Sequence, residues 1–504
     1  MQSAKAIKQD GQVFTPPATV KLMLDICGYD FPARILQKHI MENSCGEGAF
    51  LCEIVRRYCA AFLQTNKDKD RLKSELETYI HGIEINKESH ANCLSELSKT
   101  AEAFGIANVH WDIRNTDALE CETFDASMDY VVGNPPYVRV HNLSERYDGV
   151  KKLSFTLSGM TDLYLAFFEK SFQMLKPDGR LCYITPGSWL NSLAGVNLRS
   201  YILKQRNLAS ITDFEHFQVF DKISTYSSIS LFDRKHESEY FDYYRFEAET
   251  KTVKKIETIC LRDCHIENAF YLSDTQSLRK LKAIKQAENK ERYAVVKNGF
   301  ATLADGVFIG NVPFDRYTID IIKASTGKWQ KAFYPYDEAG KPLPKDELFA
   351  DKAVSEYMNA HKSELLKGKS EEDNPSWYLY GRTQALKDVF DDKISINTII
   401  KDKESLKIHP VGRGCGVYSG LYILTKVPYE DICSILKSDD FLQYVKALKK
   451  YKSGGYYTFN TKDLEQYLNY TIKQYASQGF LWQAGFISRG SFLIAGGSDL
   501  TSCE

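Results

Sequence analysis

Asp129-Tyr130-Val131-Val132-Gly133-Asn134-Pro135-Pro136-Tyr137 is the stretch from which the rest of this 504-residue chain can be read. An apolar run that ends in Gly, Asn, two prolines and an aromatic ring predicts a buried strand stopped abruptly by a rigid turn. Pro135 and Pro136 have no N–H, which disfavours a helix here and leaves local carbonyls facing outward. The Asn134 amide oxygen adds a second acceptor. Two fixed acceptors beside the Tyr137 ring suit a planar substrate that carries an exocyclic NH2 group: the acceptors take both amine hydrogens and the ring stacks. A nucleobase has that shape.

The length predicts two or three domains. A hydrophobic fraction of 43% and a charged fraction of 26% are ordinary for a globular chain. No signal-peptide core and no run of about 18 consecutive apolar residues occurs, so no membrane association and a cytoplasmic location are expected. The 12 cysteines include no CxxC pair and no Cys/His cluster with zinc spacing, so reduced thiols and no metal site are expected. Residues 1–250 carry 28 basic and 34 acidic side chains and the remainder 37 and 32, a mild basic bias toward the rear of the chain.

Ahead of the first strand, Phe14-Thr15-Pro16-Pro17 opens a helix, with Thr15 the expected cap and a proline in the first turn. Glu42-Asn43-Ser44-Cys45-Gly46-Glu47-Gly48 follows a short apolar run and precedes a helical period that extends to about Phe62. Small residues at such a strand-to-helix turn let backbone N–H groups approach a ligand, and the helix N-terminus favours a carboxylate. Tyr79 to Ile83 reads as a second buried strand ending at Glu84 and Ile85, where an acid can accept from two ribose hydroxyls. Beyond a helix over 87–104 come Asp112 and then Asp117-Ala118-Leu119, two competing acids at the next strand end. Acidic or glycine-rich groups thus recur at successive strand ends, where an open α/β sheet binds its ligand.

A loop over 138–160, a helix from about Leu163, a strand at 180–186 and two further strands at 208–220 and 225–232 bring the count to seven, alternating with helices. The segment Asp213 to Phe220 supplies three phenylalanines, Phe214, Phe217 and Phe220. Beyond Arg234 the βα repeat stops. Asn298-Gly299-Phe300, Ser376-Trp377-Tyr378-Leu379-Tyr380-Gly381-Arg382, Arg413 and Lys449-Lys450-Tyr451-Lys452-Ser453-Gly454-Gly455-Tyr456 mix basic, aromatic and glycine residues as phosphate- and base-reading loops do, and equally as core aromatics beside solvated lysines do.

In this order, Phe-Thr-Pro, the Gly loop, the strand-end acid, Asp-Ala-Leu, Asn-Pro-Pro-Tyr and the aromatic segment resemble the gamma-class, TaqI-like S-adenosylmethionine-dependent DNA adenine-N6 methyltransferases. Asn43 stands where that family usually has Pro. The resemblance implies an α/β fold: a doubly wound, Rossmann-like class I methyltransferase domain over 1–235, an α+β DNA target recognition domain over 236–475, and a C-terminal tail over 476–504. It implies Asn134, Pro135, Pro136, Tyr137 and Phe220 as catalytic residues, Phe220 being the second stacking partner with Phe214 and Phe217 as alternatives. It places S-adenosyl-L-methionine against Phe14, Thr15, Pro16, Glu42, Ser44, Gly46, Gly48, Glu84, Ile85, Asp117, Ala118 and Asn134. Double-stranded DNA is the implied partner, with or without a cognate restriction endonuclease, and no fused nuclease is expected. The alternatives are a cytosine-N4 methyltransferase, an RNA or protein-glutamine methyltransferase, and a non-catalytic DNA-binding subunit.

Overall fold

The computed structural model describes residues 14–139, 149–220, 225–288 and 291–477. The chain divides into two compact units, the first ending at Lys282 and the second starting at Ala283. No helix of the described residues is long and apolar enough to cross a membrane.

The first unit is built on one nine-stranded sheet. Its strands are β1 (Ile40–Glu42), β2 (Ile80–Ile83), β3 (Asp112–Arg114), β4 (Met128–Gly133), β5 (Leu175–Pro186), β6 (Leu208–Asp213), β7 (Ser227–Asp233), β8 (Tyr240–Glu247) and β9 (Thr252–Cys260). They lie in the order β3-β2-β1-β4-β5-β7-β6-β8-β9. Strands β3, β2, β1, β4 and β5 pair in parallel, and β7 enters antiparallel between β5 and β6. The apolar run anticipated at 129–133 is β4, near the middle of the sheet; Tyr130, Val131 and Val132 are all buried. Near-continuous burial is what a parallel strand covered on both faces requires.

The helices that matter for the site are α1 (Pro17–Cys27), α2 (Ala49–Thr65), α3 (Lys87–Glu102) and α4 (Leu163–Met174). Pro17 occupies the first turn of α1 as expected, where its missing N–H costs nothing. The cap expected from Thr15 is not made: Pro16 holds that position with no side-chain hydrogen bond. Asn86 caps α3 by accepting from the N–H groups of Glu88 and Ser89.

The sheet does not stop where the βα repeat stops. Strand β8 runs parallel to β6 and pairs antiparallel with β9, so the boundary expected at 235/236 falls inside the first unit. The second unit has cores of its own. A four-stranded sheet is formed by 294–298, 421–425, 393–396 and 408–411, and a three-stranded one by 328–333, 318–323 and 416–418. Trp377, Tyr378 and Tyr380, for which the sequence left reading loops and core aromatics equally open, are buried with Phe333, Tyr334 and Tyr336. Arg382 and Arg413 remain exposed. The tail anticipated from 476 lies outside the described residues after Ser477.

Candidate functional site

The ends of β1, β2 and β4 meet above a cavity of about 610 Å³. Its lining includes Phe14, Thr15, Glu42, Ser44, Gly46, Gly48, Glu84, Ile85, Asp117, Ala118, Asn134 and Pro136 from the residues singled out in the sequence. Pro16, Pro135, Tyr137 and Phe220 do not line it.

Strand β1 ends at Glu42 and the chain turns through 43–48 into α2. Gly46 and Gly48 adopt φ of +52° and +89°, the left-handed region. A Cβ on Gly48 would lie 2.8 Å from the Cys93 sulfur on α3, so only glycine lets the turn close against that helix. Across the turn, both oxygens of Glu84 are engaged: Oε2 accepts from the Gly46 N–H and Oε1 from the Asn86 N–H, each at 2.8 Å. A carboxylate oxygen can accept more than once, so Glu84 keeps acceptor capacity toward the cavity while its orientation is set. Asp117 is likewise oriented, with Oδ1 accepting from the Leu119 N–H at 2.9 Å. Its competitor Asp112 is committed elsewhere, accepting from His81 at 2.7 Å, an interaction that holds its carboxyl below the usual range.

Asn134 sits where β4 gives way to the prolines. Its Nδ2 donates to Thr15 Oγ1 at 3.2 Å, and its backbone carbonyl accepts from the Ser44 hydroxyl at 3.4 Å. Thr15, expected to cap a helix, instead fixes which way the Asn134 amide faces. The Tyr137 hydroxyl donates to the Ile184 carbonyl at 3.1 Å. Phe220 is buried and meets Tyr137 edge to face, with centroids 6.1 Å apart and planes at 72°. The two rings therefore do not form parallel walls around a slot. Of the alternatives, Phe214 is buried and Phe217 is 37% exposed.

The sequence did not single out Asn43 as a site residue. Its Nδ2 donates to Ser171 Oγ at 2.9 Å and its Oδ1 accepts from the Tyr183 hydroxyl at 2.5 Å, while Ser171 and Tyr183 are 2.6 Å apart. With the tyrosine hydrogen spent on Asn43, the serine must donate to the tyrosine oxygen, and the three groups close a ring in which each donates once and accepts once. Such a buried, fully satisfied ring replaces the rigidity that a proline would supply at this turn. The departure from the family pattern at Asn43 was the available signal, but its partners lie about 130 residues on and could not be read from spacing. Leu163 and Phe167 on α4, which add apolar wall to the cavity, were also missed.

Electrostatically the cavity is one-sided. Its charged lining consists of Glu42, Glu47, Glu84, Glu96 and Asp117, with no Lys or Arg among the described lining residues. That opposes a nucleoside polyphosphate and suits a ligand with excess positive charge. S-adenosyl-L-methionine fits on these grounds. It carries a sulfonium and an ammonium against a single carboxylate, the turn at 43–48 offers backbone N–H groups for that carboxylate, and Glu84 and Asp117 are acceptors for hydroxyl and amine hydrogens.

Residues 35–220 match the family model described as "Eco57I restriction-modification methylase". The chain is 27% identical over 246 residues to the Type II methyltransferase M.BstVI of Geobacillus stearothermophilus, covering 47% of this chain and 44% of that protein. It is 24% identical over 524 aligned positions to the Type II restriction enzyme and methyltransferase RM.Eco57I of Escherichia coli, covering 82% of this chain and 52% of that protein. The chain thus spans about half the length of these relatives. Among solved structures, the Type IIL restriction-modification enzyme MmeI in complex with DNA aligns with a TM-score of 0.62 and 14% identity, covering 96% of this chain and 78% of that one. At that identity the likeness speaks to the fold.

Proposed function

We propose, for a chain whose residues 35–220 match the Eco57I restriction-modification methylase family model, that it is a DNA methyltransferase that modifies adenine at N6. It would belong to the gamma class, with a class I methyltransferase sheet in the first unit and target recognition in the second. Its cofactor is S-adenosyl-L-methionine, which when bound supplies a methyl group made electrophilic by the sulfonium. The observation that carries the reading is Asn134, oriented by Thr15, on the wall of an acid-lined cavity that suits this cofactor.

The residues have distinct tasks. Glu84 accepts from the ribose hydroxyls and Asp117 from the adenine amine of the cofactor, while the 43–48 turn holds its carboxylate. Asn134 Oδ1 and the Pro135 carbonyl accept both hydrogens of the target amine, drawing its lone pair out of ring conjugation and aiming it at the methyl group. No covalent enzyme intermediate is required. Because N6 takes part in a Watson–Crick pair, the base leaves the duplex at a cost of a few kcal/mol, offset by stacking on Tyr137 and by phosphate contacts. Arg382, Arg413 and the 449–457 loop are the recognition groups in the second unit. Double-stranded DNA is the substrate, paired or not with a cognate endonuclease, and the cytoplasmic location expected from sequence goes with it.

The test is incubation of purified protein with isotopically labelled S-adenosylmethionine and duplex DNA, followed by mass spectrometry of the nucleosides. Label in N6-methyladenine is the expected result. Label in N4-methylcytosine would assign the protein to the alternative amino-methylation chemistry, and label in neither would refute DNA amino methylation.

A further inference from the structure

Glu42 is the least compensated acid of the cavity. Its side chain is 3% exposed, it lines the cavity, and Oε2 has no hydrogen-bond partner among the described residues. An ionised carboxylate with an unsatisfied oxygen out of contact with water costs several kcal/mol. The surroundings add to that cost. Glu84 at the end of β2 is a second carboxylate, and Cys45 of the turn, Cys93 of α3 and Tyr183 of β5 bring groups that can only add negative charge. Burial, Cys93 and Glu84 push the Glu42 carboxyl well above the usual range, against a single opposing contribution from the Leu51 N–H.

The position of Glu42 names its counter-ion. It is the last residue before the turn that receives the cofactor carboxylate, and in S-adenosylmethionine the carboxylate and the ammonium share one carbon. Resting on the cofactor reading above, we propose that Glu42 is protonated in the ligand-free cavity and gives its proton to solvent when the cofactor ammonium arrives, so that cofactor capture releases a proton. The exchange balances: a neutral carboxylic acid becomes a carboxylate paired with the incoming ammonium, one proton leaves to buffer, and no other bond changes. One consequence is discrimination. A ligand with the same adenosine but no cationic amino-acid end finds a neutral acid and gains no ion pair.

The experiment is isothermal titration of the whole chain with S-adenosylmethionine, and separately with S-adenosylhomocysteine, at pH 6.5 in phosphate and in imidazole buffer. At this pH an α-amino group, with its ordinary pKa near 7.7–8.0, is already charged and contributes little. The difference in heat between buffers gives the protons released, expected to be about one for both ligands, with affinity rising up to about tenfold from pH 6 to pH 7. Glu42→Gln should bind more weakly, release no proton and show no such pH dependence. Glu42→Asp, which keeps a carboxyl, should still release a proton, and its melting curve shows that the fold survives. Binding with no buffer dependence in the unaltered protein would overturn the proposal, as would proton release that persists in Glu42→Gln or that occurs only with the sulfonium ligand. Absence of binding in folded protein at every pH would overturn both this proposal and the cofactor reading, and is distinguishable from a failure of proton coupling alone.

Discussion

Tyr183→Phe removes one oxygen atom and leaves the shape of the core unchanged. That oxygen donates to Asn43 Oδ1 at 2.5 Å and accepts from Ser171 at 2.6 Å, and all three residues are 1% exposed or less. The variant leaves a buried amide oxygen without its donor and a serine hydroxyl without its acceptor. A buried group left unsatisfied costs about 1–3 kcal/mol, so a loss of about 2 kcal/mol is expected. For a unit of this size that corresponds to a melting temperature lowered by roughly 4–8 °C. Asn43 opens the turn at 43–48, so affinity for S-adenosylmethionine should fall as well. Removing all three polar groups together, as Asn43→Pro with Ser171→Ala and Tyr183→Phe, leaves nothing unsatisfied and should recover most of the lost stability. Differential scanning calorimetry of the first thermal transition is the assay, with cofactor titration alongside. A Tyr183→Phe protein that melts within about 1 °C of the parent would refute the ring as a source of stability.

Asn134→Ala should abolish methyl transfer, a loss of at least about 10³-fold, with cofactor affinity changed only a few-fold; radiolabel transfer and equilibrium binding separate the two. Gly48→Ala should destabilise by more than the roughly 1–2 kcal/mol of a left-handed residue, because its Cβ would also lie 2.8 Å from Cys93 Sγ. Gly46→Ala, with nothing within 4 Å of its Cβ, should show the backbone cost alone, a ranking that melting temperatures check directly. Burial and neighbouring His81 lower the pKa of His39, so the folded state resists its protonation and stability falls as pH drops below about 6.5. His39→Asn should therefore flatten the dependence of melting temperature on pH between 7 and 5.

The parts of the site that could be read from sequence are those carried by strand ends. A parallel strand covered on both faces is a continuous apolar run, so the residue where polarity resumes marks the end of the strand, and Glu42, Glu84 and Asn134 are such residues. The fold then brings them together whatever the helices between them contain. Strands β8 and β9 were missed for the complementary reason. Their burial is broken or partial, and Tyr240 to Glu247 mixes aromatic and charged residues without a strict alternation, which resembles irregular surface. Trp377 and Tyr380 could not be placed from sequence, because an aromatic beside glycine and arginine has the same composition whether it faces solvent or a core. Phe220 shows the limit of motif reading: it packs against Tyr137 but does not line the cavity, and the angle its ring makes with Tyr137 depends on packing that no spacing encodes.

What distinguishes this site from an assembly of the right residue types is that its principal polar side chains are each held by a second group. Glu84 is held by two backbone N–H groups, Asn134 by Thr15, Tyr137 by the Ile184 carbonyl and Asn43 by the Tyr183–Ser171 pair. Glu42 keeps one oxygen without a hydrogen-bond partner among the described residues, which is what the proposed exchange of a proton for the ligand ammonium would use. Direct transfer of a methyl group asks its enzyme for orientation above all, since nucleophile and leaving group both belong to the ligands. Rigid acceptors meet that demand at no reorganisation cost during the reaction. A site of this kind should therefore lose activity when a supporting residue such as Thr15 is altered, even though Thr15 itself would touch no reacting atom.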